Sequence, residues 1–221
     1  MEDIITLDGP TSSGKNSVGF LLAQKLGYQY IDSGMIYRAG SFKIIQKNIP
    51  LTDKEKILEA FRNLNVRFAT VGNEWKMFLD GEDVTNTLHA AQISKATYQI
   101  AAIPEVRQII KNIQHKITQN GKVVVSGRDI GSEIFPDAKY KFWLTAKVEE
   151  RAKRRFKQLV GKNPQLTYEQ VLADMKERDS HDAQREASPM RIPKDAIVVD
   201  NTKLSVEQTV DQMLKHIHVQ D

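Results

Sequence analysis

The stretch LDGPTSSGKNSVG, residues 7–19, decides how this chain is read. Gly9, Gly14 and Lys15 fall on the spacing G-x-x-x-x-G-K-[S/T]. Glycines at that spacing let backbone N–H groups turn inward around an anion, and the lysine reaches the β- and γ-phosphates of a nucleoside triphosphate. Asn16 stands in the hydroxyl position, and Ser17 brings a hydroxyl one residue late. Taken alone, the run is also what a serine-rich turn looks like, so its surroundings matter.

Those surroundings are the right ones. DIITLD (3–8) is a short apolar run of the kind a buried parallel strand shows, and it feeds directly into the glycines. NSVGFLLAQKLG (16–27) follows, with Val18, Leu21, Leu22 and Leu26 as a helical stripe closed by Gly27. YQYID (28–32) reads as a second strand. Strand, glycine loop, helix and strand make a βαβ unit, in which the positive helix N-terminus points at the loop's anion.

Farther along, GKVVVSG (121–127), YKFWLTA (140–146) and AIVVDN (196–201) are strand candidates. Helical patterns occupy 104–119, 147–160, 167–182 and 205–217. This alternation predicts an α/β fold with a mostly parallel sheet flanked by helices. Between them, NVRFATVGNEWKMFLDGEDVT (65–85) alternates apolar and polar residues around VGNE, as a solvent-facing hairpin does. Antiparallel grammar inside an α/β chain marks residues 38–103 as an inserted subdomain. There is no internal repeat and no low-complexity tract.

Composition narrows the chemistry. The 221 residues, 40% hydrophobic and 27% charged, are those of an ordinary globular chain. No apolar run approaches the ~18 residues that would span a bilayer. MEDIITLDG lacks a basic start, which argues against a secretory signal, so a cytoplasmic location is expected. With no cysteine, there is no disulfide, thiolate metal site or thiol nucleophile, and the five histidines show no zinc-ligand spacing. A net charge of +4 and a pI near 9.1 suit a polyanionic partner, either nucleic acid or a small nucleotide.

The placement of the arginines bears on that choice. IDSGMIYR offers Ser33, Tyr37 and Arg38 at the end of the second strand, and SGRDIGS offers Arg128 and Asp129 after the KVVV strand. Ligands bind at that edge of open α/β sheets. ERDSHDAQR sets Arg178, Asp182 and Arg185 on one helical stripe, and EERAKRRFKQL sets Arg151, Arg154 and Arg155 likewise. The guanidinium fork suits phosphate, and phosphoryl transfer needs positive charge along the path of the moving group. Solvated helix faces with i,i+4 pairs, such as Arg178 with Asp182, are the simpler account of any one of these helices. The basic residues alternate with acids and no aromatic-basic strand motif is present, so nucleic acid is the less favoured partner.

Together, DGPTSSGK, DSGMIYR, GEDVT, IAAIPEVR, GRDIGSEIFPDA, EERAKRR, ERDSHDAQREASP and DAIVVDNTKLSVEQ resemble bacterial cytidylate kinase, in family order from residue 4 to about 210. The resemblance implies a P-loop NTPase core, an inserted NMP-binding subdomain with a small antiparallel sheet, and a mobile helical LID. It divides the chain into core (1–37), insert (38–103), core (104–150), LID and flanking helices (151–185) and a C-terminal part of the core (186–221).

It further implies phosphorylation of CMP and dCMP by ATP with Mg2+, in pyrimidine metabolism, by a monomer that engages neither nucleic acid nor membrane. The ATP phosphates would lie on Gly9, Pro10, Thr11, Ser12, Ser13, Gly14, Lys15, Asn16 and Ser17, with Ser17 as the metal-side hydroxyl. Ser33 would also face the acceptor, whose phosphate would be held by Arg38, Arg128 and Arg185. Arg107 and Asp129 would read the base, and Arg178 and Asp182 would address the ribose. Arg151, Arg154 and Arg155 would act with Lys15 and Arg128 on the transferring phosphates.

Three departures from that pattern stand out. The family usually carries Ser or Gly and then Thr after the loop lysine, where this chain has Asn16-Ser17. Many members carry Asp at the position of Ser126, where related kinases hold a magnesium-bound water. Tyr98 replaces a base-contacting Ser, which would narrow or shift acceptor choice. A P-loop kinase for another small acceptor, or a nucleotide sensor without turnover, remains open from the residues alone.

Overall fold

Every residue of β1 (Ile4–Asp8) is buried, as a strand covered on both faces must be. In the computed structural model, which describes residues 3–218 except 162 and 187, β1 is the middle of a five-stranded parallel sheet of order β2-β6-β1-β7-β8. The other strands are β2 (Gln29–Asp32), β6 (Val123–Gly127), β7 (Tyr140–Thr145) and β8 (Ile197–Asp200). Alternate residues serve opposite cores. Ile4, Ile31, Val123 and Val125 face one side, and Ile5, Leu7, Val124, Phe142, Leu144 and Val199 the other.

Register sets what the sheet edge displays. Asp8 of β1 lies opposite Gly127 of β6, and Asp32 of β2 opposite Ser126. The segments that follow β1, β2 and β6 therefore leave the sheet side by side. The helix α1 (Lys15–Leu26) starts from Gly14, with φ +96° and no side-chain cap, so its first N–H groups are left for another partner.

α2 (Ser33–Gln46) follows β2 without a break, its N-terminus capped by Asp32 through the Gly34 N–H. After α3 (Lys54–Arg62) come β3 (Val66–Val71), β4 (Glu74–Leu79) and β5 (Glu82–Asp83), an antiparallel sheet. The two-residue turn between β3 and β4 has Gly72 at φ +61°, the glycine-first arrangement of a primed hairpin. Val66, Phe68, Met77 and Leu79 point inward and join the same core as Ile31 and Val123, so this antiparallel sheet shares its apolar interior with one face of the main sheet. α4 (Ala91–Ile100), which the sequence pattern did not announce, and α5 (Pro104–Ile117) complete that layer.

A π-helical turn (Ile130–Ile134) follows β6. α6 (Val148–Leu159) and α7 (Tyr168–Gln184) form a hairpin around a small cluster of their own, Ala152, Val171 and Met175 with Phe156 and Leu172. α7 opens on a Thr167/Gln170 capping box, and α8 (Val206–Leu214) on the matching Ser205/Gln208 box. Among the described residues no helix is long and apolar enough to cross a membrane.

Candidate active site

The glycine loop is wedged against the sheet. Gly9 sits at φ +150°, and a Cβ there would come within 2.1 Å of the Leu144 carbonyl oxygen, so no side chain fits. Lys15 is buried, and its Nζ donates to the carbonyls of Gly9 (2.8 Å) and Pro10 (2.7 Å) and to Ser13 Oγ (3.3 Å). Burial, and then the nearby Arg128 guanidinium, hold its pKa well below the ordinary lysine value. Asn201, just beyond β8, donates from Nδ2 to the Ser13 carbonyl at 2.9 Å, and its own Oδ1 accepts from Arg154 at 3.1 Å.

Asp8, fully buried under the loop, accepts the N–H groups of Ile130 (2.8 Å) and Gly131 (2.7 Å). It thereby ties the phosphate loop to the turn that carries Arg128 and Asp129. Burial raises its pKa to about 6, with the two N–H groups opposing the rise.

A cleft of about 1040 Å³ opens over these strand ends. Thr11, Ser12, Gly14, Lys15, Asn16 and Ser17 line it on the loop side. Gly9, Pro10 and Ser13 lie behind them, where they hold Lys15. Across from the loop, Ser33, Tyr37, Arg38, Tyr98, Arg107, Arg128 and Asp129 face the same space, and Arg154, Arg155, Arg178, Asp182 and Arg185 close it from α6, α7 and the end of α7.

The floor is a chain of alternating charge. Arg107 and Asp129 are paired and buried, with the Arg107 guanidinium also over the Tyr37 ring at 5.7 Å. Asp129 faces Arg185 at 3.5 Å, Arg185 faces Asp182 at 3.8 Å, and Asp182 accepts from Arg128 Nε at 3.0 Å. The i,i+4 pair of Arg178 with Asp182 does not form, because Asp182 is taken up by Arg128. Arg178 has no hydrogen-bond partner among the described residues. It remains solvent-accessible inside the cleft, yet its surroundings and the Arg128 charge lower its pKa to about 10. Burial also lowers Arg38 and Arg155, and Arg38, Arg128, Arg155 and Arg178 lie within electrostatic reach of one another.

One residue departs from expectation. Arg151 does not line the cleft; it is buried, and donates to the carbonyls of Ala146 (3.0 Å) and Thr11 (2.9 Å) and to Asp179 (2.6 Å). It lies in the first turn of α6, against the back of the loop.

The three variant positions resolve into contacts. Asn16 Nδ2 donates to Asp32 Oδ2 at 2.7 Å, and Ser126 Oγ is 2.7 Å from the Tyr30 hydroxyl. Tyr98 of α4 is 44% exposed and stacks on His181 of α7, ring centroids 4.2 Å apart and 34° from parallel. Sequence patterns did not single out Asp8, Asp32, Asp179, His181 or Asn201 for the site. Their positions at strand ends (Asp8, Asp32, Asn201) and within the ERDSHDAQR helix were the available signals.

The family model for cytidylate kinase matches residues 5–219. The chain belongs to the cytidylate kinase family. Its similarity extends to the cytidylate kinase of Caldanaerobacter subterraneus subsp. tengcongensis, 43% identical over 213 residues and covering 96% of this chain and 93% of that one. The cytidylate kinase of Bacillus subtilis is 37% identical over 213 residues, covering 96% and 95%. Among solved structures, the fold is shared with a shikimate kinase from Bacteroides thetaiotaomicron, with a TM-score of 0.50 at 14% identity over 98% of both chains. A protein from Eubacterium ventriosum aligns with a TM-score of 0.54 at 13% identity, again over 98% of both. Members of the cytidylate kinase family thus match nearly the whole length of this chain, while the more distant structures share its architecture.

Proposed function

We propose that this chain transfers the γ-phosphate of ATP to CMP or dCMP, giving ADP and CDP or dCDP. The observation that carries this reading is the convergence of Arg38, Arg128, Arg155 and Arg178 on the cleft beside Lys15 and the uncapped start of α1. So many guanidinium groups, several with depressed pKa, repel one another until polyanions enter.

In this reading residues 38–103 hold the acceptor and the α6–α7 hairpin closes over the donor. The Arg107–Asp129 pair presents a donor fork and an acceptor side by side, the complement of a cytosine edge. The nucleophile is an acceptor phosphate oxygen, already anionic near neutral pH, so no general base is required. It bonds to the γ-phosphorus as the bond to the β,γ-bridging oxygen breaks, and the electron pair stays on ADP. What the protein contributes is alignment and positive charge on the transferring oxygens, from Lys15, Arg128, Arg154 and Arg155.

For a magnesium ion the cleft offers hard oxygen donors, the Ser17 hydroxyl and the Asp32 carboxylate, and no cluster of three acids or histidines among the described residues. That sparse set fits a cation that arrives on the triphosphate and keeps most of its water. When bound, it would neutralise charge between the β- and γ-phosphates. In this reading the protein acts as a monomer on nucleotides rather than nucleic acid, in the cytoplasm. The test is a coupled ADP-release assay with ATP, Mg2+ and a panel of CMP, dCMP, UMP, AMP, GMP and shikimate. Turnover strongest with CMP or dCMP is expected. No turnover with CMP, dCMP or UMP at high enzyme concentration would refute the reading.

A further inference from the structure

Both polar groups of the Thr11 peptide, in the middle of the phosphate loop, are taken up by the α6–α7 hairpin. Its N–H donates to Asp179 Oδ1 at 3.2 Å, and its carbonyl accepts from Arg151 at 2.9 Å. The second Asp179 oxygen accepts from the same Arg151 nitrogen at 2.6 Å. A carboxylate thus rests on an N–H group of a loop whose geometry gathers N–H groups for an anion. Lys15 completes the arrangement by folding onto loop carbonyls. Within the chain, the loop thus meets an anion on its Thr11 amide and a cation on its carbonyls.

We propose that Asp179 is a positioning residue that competes with the donor phosphates for the loop and, through α7, couples donor binding to acceptor binding. This rests on the reading that the loop binds ATP. A triphosphate brings several negative charges to a loop whose Thr11 N–H is already held by a carboxylate from behind, and the charge of Asp179 opposes theirs. Entry of the donor therefore works against the Asp179 contact, and as that contact loosens the Thr11 N–H and one Arg151 donor are freed. Arg178 and Asp182 lie on the same helix, facing the cleft. The α6–α7 hairpin has an apolar cluster of its own, so a shift of Asp179 carries these residues with it. Linkage makes the effect reciprocal: an acceptor that draws α7 toward itself lifts Asp179 and strengthens donor binding.

Calorimetric binding of a non-hydrolysable ATP analogue to the wild-type, D179N and D179A chains, each with and without CMP, tests the inference. D179N keeps an oxygen for Thr11 and removes the charge, and D179A removes both. The expected result is donor binding about 5- to 10-fold tighter in the variants without CMP, with the CMP-induced gain in donor affinity reduced toward one. A purely structural role would give the opposite, since a loosened loop binds phosphate more weakly. Donor affinity unchanged or weakened in D179N, or an unaltered response to CMP, would overturn the proposal. Should D179A fail to fold, D179N alone decides. Loss of analogue binding in the wild-type chain itself would instead overturn the donor-site reading, and this inference with it.

Discussion

Tyr30 and Ser126 are hydrogen-bonded across the β2–β6 pair, hydroxyl to hydroxyl at 2.7 Å, and both are buried. Ser126, at the position where the resemblance leads one to expect an aspartate, is therefore closed off by a tyrosine. A strand-end carboxylate, Asp32, is paired in register with Ser126 and held by Asn16. Two departures from the family pattern, Asn16 and Ser126, thus each have a partner on β2.

That pairing predicts non-additivity. Tyr30→Phe strands the buried Ser126 hydroxyl and should cost about 1–2 kcal/mol of stability. Adding Ser126→Ala removes the stranded group, so the double variant should lose less than the sum of the singles. Urea unfolding of the four proteins checks it, and strict additivity would contradict the pairing.

Lys15 and Arg128 flank the proposed path of the phosphoryl group. Lys15→Ala and Arg128→Ala should each lower kcat by about 10³ or more, since phosphate-stabilising cations carry effects of that order. Steady-state kinetics beside thermal melting separates this from unfolding. A near-native rate in Lys15→Ala would contradict the loop's assignment.

Tyr98 reaches over the cleft to His181, so it limits the space on the acceptor side. Tyr98→Ser should raise kcat/KM for a purine monophosphate relative to CMP, by about threefold or more, with the ATP KM little changed. An altered ATP KM with unchanged acceptor ratios would place Tyr98 on the wrong side.

Asp8 gives a pH signature. Its pKa rises from 3.8 unfolded to about 6 folded, so between those values the folded chain holds a proton that the unfolded chain has lost. Its contribution is fully present below pH 3.8 and declines as pH rises through 6. The stability of wild type minus that of Asp8→Asn should therefore fall by up to about 3 kcal/mol between about pH 3.5 and 6.5. Urea titrations of both proteins across that range measure it, and a flat or rising difference would contradict the buried-carboxylate account.

The βαβ opening, the parallel core and the small antiparallel sheet were legible in the residues alone, and so was the family. α4 was not, because Ala91–Ile100 is stabilised as a helix by packing Ile93, Ala96 and Ile100 into the shared core rather than by a distinct local signal. That Arg151 is buried behind the loop rather than lining the cleft was not legible for a related reason. Helical spacing groups it with Arg154 and Arg155 but does not say which of the three meets the loop's back.

Glycine geometry, apolar periodicity and motif order are properties of neighbours along the chain. From them the sequence by itself determined the loop, the order of elements and the membership in a kinase family. The partners of the loop were decided only in three dimensions. Thr11 meets Asp179 168 residues away, Ser13 meets Asn201 188 away, and Asp8 meets Ile130 122 away. Strand register and helix packing choose such pairs. No local pattern records which distant carboxylate will arrive at an amide, and that choice sets the charge and hydrogen bonding of the loop.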